Sequence, residues 1–113
     1  MFDSELKVLD ILWRGGDLSA KQLSVAAEAE FGWNKNTTYT VIKKLVEKGL
    51  IERGEPGFIC RALLSRDEAR QGETARLIDR LWDGSKKAFF AAFVDEQLSA
   101  AELDELKALI ESK

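Results

Sequence analysis

From Phe2 to Trp13 the apolar residues recur at helical spacing. Phe2, Leu6, Leu9, Leu12 and Trp13 form one stripe, with Asp3, Glu5, Lys7 and Asp10 between them. Gly15-Gly16 stops this helix, and Asp17-Leu18 reads as a short connector. Ser19 opens a second helix, and Gln22 three residues later completes a capping box. Leu23, Ala26 and Ala27 give it a narrow inner face that lets a neighbouring helix approach closely. Asn34-Lys35-Asn36 reads as a polar turn with good N-cap residues. A third helix is predicted from about Thr37 to Lys48. Thr38, Val41, Ile42 and Leu45 lie on its buried face at i, i+3, i+4 and i+7, and Gly49 is its C-cap residue.

The period then changes from helical to alternating. Ile51-Glu52-Arg53 reads as a strand, Gly54-Glu55-Pro56-Gly57 as a turn in which Pro56 and Gly57 suit the central positions of type II, and Phe58 to Leu63 as the returning strand. Beyond it everything is helical. Ser65 and Glu68 form a second capping box at the start of a long helix reaching about Asp83, whose apolar residues Ala75, Ile78, Leu81 and Trp82 come late. Gly84 breaks it. A helix from Lys86 to Gln97 carries Phe89, Phe90, Phe93 and Val94. Ser99 and Glu102 cap the last helix, edged by Leu103, Leu106, Leu109 and Ile110.

Three helices followed by a hairpin are the order of a winged helix-turn-helix, in which the third helix enters the major groove and the hairpin is the wing. The expected fold is therefore mostly α: a winged helix-turn-helix domain over residues 1–64 and a C-terminal helical dimerisation region over residues 65–113. The outer face of the third helix suits this use. Asn36, Thr37, Tyr39 and Thr40 can meet base edges or phosphates, and Lys43 and Lys44 can neutralise phosphates. Arg53 and Arg61 flank the hairpin turn within reach of a DNA backbone.

Charge changes the picture more than composition does. The 113 residues carry a net charge of −3, which alone argues against a nucleic-acid binder. Residues 35–61, however, hold six Lys and Arg against three Asp and Glu, between two acidic flanks. The absence of histidine excludes Ser-His-Asp and Cys-His catalysis and histidine zinc sites. A lone cysteine, Cys60, excludes an intrachain disulfide and a cysteine metal cluster, and it reads as a buried strand residue. No glycine-rich phosphate loop follows a strand. No enzyme and no cofactor is expected. No apolar run approaches the ~20 residues of a membrane helix, and the acidic start is unlike a secretory signal, so a cytoplasmic protein is expected. The rival reading is a winged-helix module that binds protein instead of DNA; the lysines at 35, 43, 44 and 48 argue against it.

Four stretches together resemble the BlaI/MecI penicillinase-repressor family. Asn36 through Leu45, with Glu47-Lys48-Gly49-Leu50-Ile51 after it, is similar to that family's recognition helix and its approach to the wing. Glu5 through Trp13 resembles its first helix. Leu81-Trp82-Asp83-Gly84-Ser85 resembles the start of its dimerisation helices, and Leu98-Ser99 with Glu102-Leu103 and Leu106 is similar to its last helix. The resemblance covers essentially the whole chain. It implies a homodimeric repressor whose winged helix binds half of a palindromic operator. The DNA-facing positions it implies are Asn36, Thr37, Tyr39, Thr40, Lys43 and Lys44. Some members carry arginine where Tyr39 stands, so this chain's operator need not match theirs. Dimerisation is expected from Ile78, Leu81, Trp82, Phe89, Phe90, Phe93, Leu106, Leu109 and Ile110. In the penicillinase repressors a membrane sensor's signal leads to cleavage at an Asn-Phe bond in this region. Ala92-Phe93 stands at the equivalent place without the asparagine. The paired cysteines of the copper-responsive branch are absent, so copper sensing is not expected.

Overall fold

The computed structural model describes residues 2–113. Among them are six helices and three short strands: α1 (Asp3–Gly15), β1 (Leu18–Ser19), α2 (Ala20–Phe31), α3 (Lys35–Glu47), β2 (Ile51–Gly54), β3 (Ile59–Ala62), α4 (Arg66–Leu81), α5 (Lys86–Gln97) and α6 (Ala100–Glu111). Mostly helical structure with a small antiparallel sheet is the predicted class. No helix among the described residues is long and apolar enough to cross a membrane.

Local chemistry sets the boundaries. Ser19 Oγ accepts from the Gln22 N–H at 3.0 Å and Gln22 Oε1 accepts from the Ser19 N–H at 2.8 Å, which closes the capping box of α2. Asn34 Oδ1 accepts from the Thr37 N–H at 2.8 Å. Asn34 is thus the N-cap of α3, and the helix starts at Lys35, earlier than the predicted Thr37. Asn34 and Asn36 are both good N-cap residues, and pattern alone does not say which of them serves. Ser65 and Glu68 bond reciprocally at 3.0 and 3.1 Å, as do Ser99 and Glu102 at 3.2 and 3.1 Å.

The sheet has the order β1-β3-β2, antiparallel throughout. Leu18 pairs with Cys60 and Ser19 with Ile59, so part of the predicted connector is a strand. Two residues are too short to show a period, and their partners lie far along the chain. The wing pairs Ile51 with Ala62, Glu52 with Arg61, Arg53 with Cys60 and Gly54 with Ile59. Its loop is Glu55 to Phe58, with a cis Glu55–Pro56 peptide. Gly57 takes the positive φ of 88° that the predicted turn requires, but Phe58 follows it with φ 51° and is not in the strand.

The chain divides into two compact units, the first ending at Gln71 and the second spanning Gly72–Lys113. The first holds one core: Val8, Leu9 and Leu12 of α1, Leu23 and Ala27 of α2, Val41, Ile42 and Leu45 of α3, with Ile51 and Cys60 from the sheet. Val8 and Ile11 are buried while Phe2 is exposed, so the inner face of α1 is rotated from the predicted stripe. The first unit extends into α4 because α1 holds its start. Trp13 Nε1 donates to the Leu64 carbonyl at 2.8 Å, Arg66 lies 2.8 Å from Asp10, and the Arg66 guanidinium sits 5.4 Å from the centre of the Trp13 ring. In the second unit Trp82 meets Phe89 edge-on at 5.0 Å, and Phe89 stacks on Phe93 at 6.0 Å.

Candidate nucleic-acid interface

Helix α3 is anchored by Thr38, Val41, Ile42 and Leu45, all buried. That leaves the opposite face in solvent, and Asn36, Thr37, Thr40, Lys43 and Lys44 are all exposed there. Tyr39 differs from the expectation. It is half-buried and packs against the core, with Lys35 Nζ 5.4 Å from its ring centre. Its position, one after Thr38, lies at the margin between the two faces. Thr40 Oγ1 donates to the Asn36 carbonyl at 2.8 Å, so this hydroxyl meets an incoming group as an acceptor.

The fourth lysine of the stretch is engaged within the chain. Lys48 Nζ lies 2.9 and 2.8 Å from the two carboxylate oxygens of Glu5, whose Oε1 also accepts from the Phe2 N–H at 2.9 Å. Glu5 is 1% exposed. Burial raises its pKa, but the Lys48 ammonium and the Phe2 N–H outweigh burial and hold the carboxyl below its ordinary value. This pair joins the end of α3 to the start of α1. Its signal was present in the sequence: Glu5, Leu9 and Leu12 share one helical face.

The two wing arginines are not equivalent. Directly paired residues of an antiparallel ladder share a face, and neighbours along a strand alternate. Arg61, opposite Glu52, is ion-paired with it on one face. Arg53, opposite Cys60, lies on the other face with its guanidinium 5.2 Å from the centre of the Phe58 ring. Cys60 itself is fully buried, and burial raises its thiol pKa despite nearby Arg53.

In the second unit, Leu81, Phe90, Phe93, Leu109 and Ile110 are exposed, whereas Trp82, Phe89 and Leu106 are half-buried. Ile78 is buried, so its surface is already covered within one chain. Phe89, Phe90, Phe93, Leu98, Leu106 and Leu109 line an open apolar groove between α5 and α6.

The family model described as penicillinase repressor matches residues 2–112. The chain belongs to this family. Its members are transcriptional repressors, not enzymes. The penicillinase repressor of Bacillus licheniformis is 20% identical over 112 residues, covering 96% of this chain and 88% of that protein. The methicillin resistance regulatory protein MecI of Mammaliicoccus sciuri is 25% identical over 113 residues, covering 97% and 92%. The solution structure of the DNA-binding domain of the repressor BlaI superposes on 60% of this chain and 85% of its own, with a TM-score of 0.56 and 18% identity. That likeness establishes the winged-helix fold in this penicillinase-repressor family member.

Proposed function

We propose that this chain is a cytoplasmic, homodimeric transcriptional repressor, with α3 in the major groove of a palindromic operator. The observation that carries the reading is the outer face of α3. Short polar groups (Asn36, Thr37, Thr40) and two lysines (Lys43, Lys44) stand in solvent above a side fully anchored in the core. In this reading Asn36, Thr37 and Thr40 approach base edges, with Tyr39 at the margin. Lys43 and Lys44 answer phosphates, Arg53 adds a contact from the wing, and Arg61 contributes less because Glu52 engages it. Exposed Leu81, Phe90, Phe93, Leu109 and Ile110 pack against a second copy, since contiguous exposed apolar groups mark interaction surfaces. A two-fold dimer matches half-sites about one DNA turn, or a multiple, apart. A signal acting on the C-terminal region, delivered indirectly by a membrane sensor protease system, relieves repression.

Selection from a random duplex pool, paired with sedimentation equilibrium at micromolar concentration, tests the reading. It expects enrichment of a two-fold symmetric sequence and twice the chain mass. Enrichment of no sequence, with protein partners captured instead, would make the fold an interaction module. A monomer mass would remove the dimer and the palindrome together.

A further inference from the structure

Phe58 closes the wing loop, next to β3, in a conformation that its side chain disfavours. Its φ is 51°, a region in which a bulky residue is an outlier and glycine or asparagine is the ordinary occupant. Half of the residue is nonetheless in solvent, so the core does not claim the ring. The backbone is fastened: the Phe58 carbonyl accepts from the Ala20 N–H at 3.0 Å and from Cys60 Sγ at 3.6 Å. These bonds tie the loop to the start of α2 and to β3. The Arg53 guanidinium lies over that ring, and among the described residues Arg53 makes no ion pair. The wing thus presents an aromatic plate with a cation upon it, within the one basic stretch of the chain.

We propose that Phe58 and Arg53 form one minor-groove contact, the ring against sugars and base edges and the guanidinium directed into the groove. The inference rests on the repressor reading. Its chemistry is that of a narrow, electronegative groove, which attracts arginine and accepts an apolar wedge at a deformable step. A strained conformation retained at an exposed position points to a use outside the folded chain. The contact makes the wing a determinant of preference for A·T-rich sequence beside the half-site.

The test uses the full chain and the duplex it enriches from a random 30-base-pair pool, read by fluorescence anisotropy. Phe58→Gly and Phe58→Asn remove the ring and suit the backbone. They are expected to melt no lower than wild type yet to bind about 5-fold or more weakly, with an unchanged salt slope. Phe58→Trp keeps a flat ring and restores binding. Arg53→Ala also weakens binding but, unlike loss of the ring, makes the salt slope shallower, because it removes a cation from the groove. Exchanging A·T for G·C pairs beside the half-site weakens the wild type more than the ring-less variants. Ring-less variants that fold and bind as tightly as wild type, while Lys43→Ala/Lys44→Ala binds weakly, overturn this inference alone. A lowered melting temperature in both ring-less variants makes the ring structural and overturns it as well. A wild-type chain that binds no duplex overturns the repressor reading, and this inference with it.

Discussion

Replacing Lys48 by alanine probes Glu5, the buried carboxylate among the described residues. Glu5 is 1% exposed and its charge is met by the Lys48 ammonium and the Phe2 N–H. Removing one partner of a buried pair costs ~3–5 kcal/mol because the other charge stays behind without compensation. Here the lysine is 44% exposed and the Phe2 N–H remains, so the expected loss is smaller, about 2–3 kcal/mol at pH 7. Glu5→Gln keeps an oxygen for the Phe2 N–H and releases Lys48 to water, so its cost is about 1 kcal/mol. The double variant should recover most of the Lys48→Ala loss. The pH dependence follows from signs. In wild type the Glu5 pKa is held below its ordinary value of 4.5, so its stabilisation is present above that pH and is lost as pH falls through the folded pKa. In Lys48→Ala burial dominates and the carboxyl titrates higher, so acid relieves the penalty. The gap between the two proteins therefore narrows from pH 7 to pH 4. Urea titrations followed by tryptophan fluorescence measure it. A loss below about 0.5 kcal/mol, or a gap that does not change with pH, would refute the reasoning.

Other outcomes follow from single interactions. Trp13→Phe deletes the bond to the Leu64 carbonyl and should lower stability by about 1 kcal/mol in the same titration; no change would mean that water replaces it without cost. Native Cys60 should react with Ellman's reagent only as denaturant is added, since the thiol is buried and its pKa raised; rapid labelling of the folded protein would contradict the burial. Phe93→Ala should shift sedimentation toward monomer and weaken operator binding together, whereas weakened binding with the dimer intact would place Phe93 elsewhere. Arg61→Ala should alter affinity less than Arg53→Ala, because Glu52 already holds Arg61.

The architecture was legible where one residue type does one physical job. Thr38, Val41, Ile42 and Leu45 at helical spacing defined the inner side of α3, and with it the solvent side that carries Lys43 and Lys44. Ser19 with Gln22, Ser65 with Glu68 and Ser99 with Glu102 placed three helix starts by their caps. What escaped were features set by distant partners. Leu18–Ser19 is a strand because Cys60 and Ile59 pair with it. Lys48 looked like part of the basic face until Glu5, from the other end of the domain, met it. Phe58 read as a strand residue because aromatics favour strands, but the loop required a second left-handed residue after Gly57. In the candidate interface, alternation along β2 and β3 separates Arg53 from Arg61, and that separation needed the register.

The central claim, that the α3 face binds DNA, meets its most direct test in a salt titration. Anisotropy of a labelled duplex is followed from about 50 to 200 mM salt for wild type and for Lys43→Ala/Lys44→Ala. The account predicts steep weakening with salt for wild type, and a slope shallower by about 0.9 for each phosphate that the variant no longer neutralises. Equal affinity and equal slope for the two proteins would take this face out of the DNA interface.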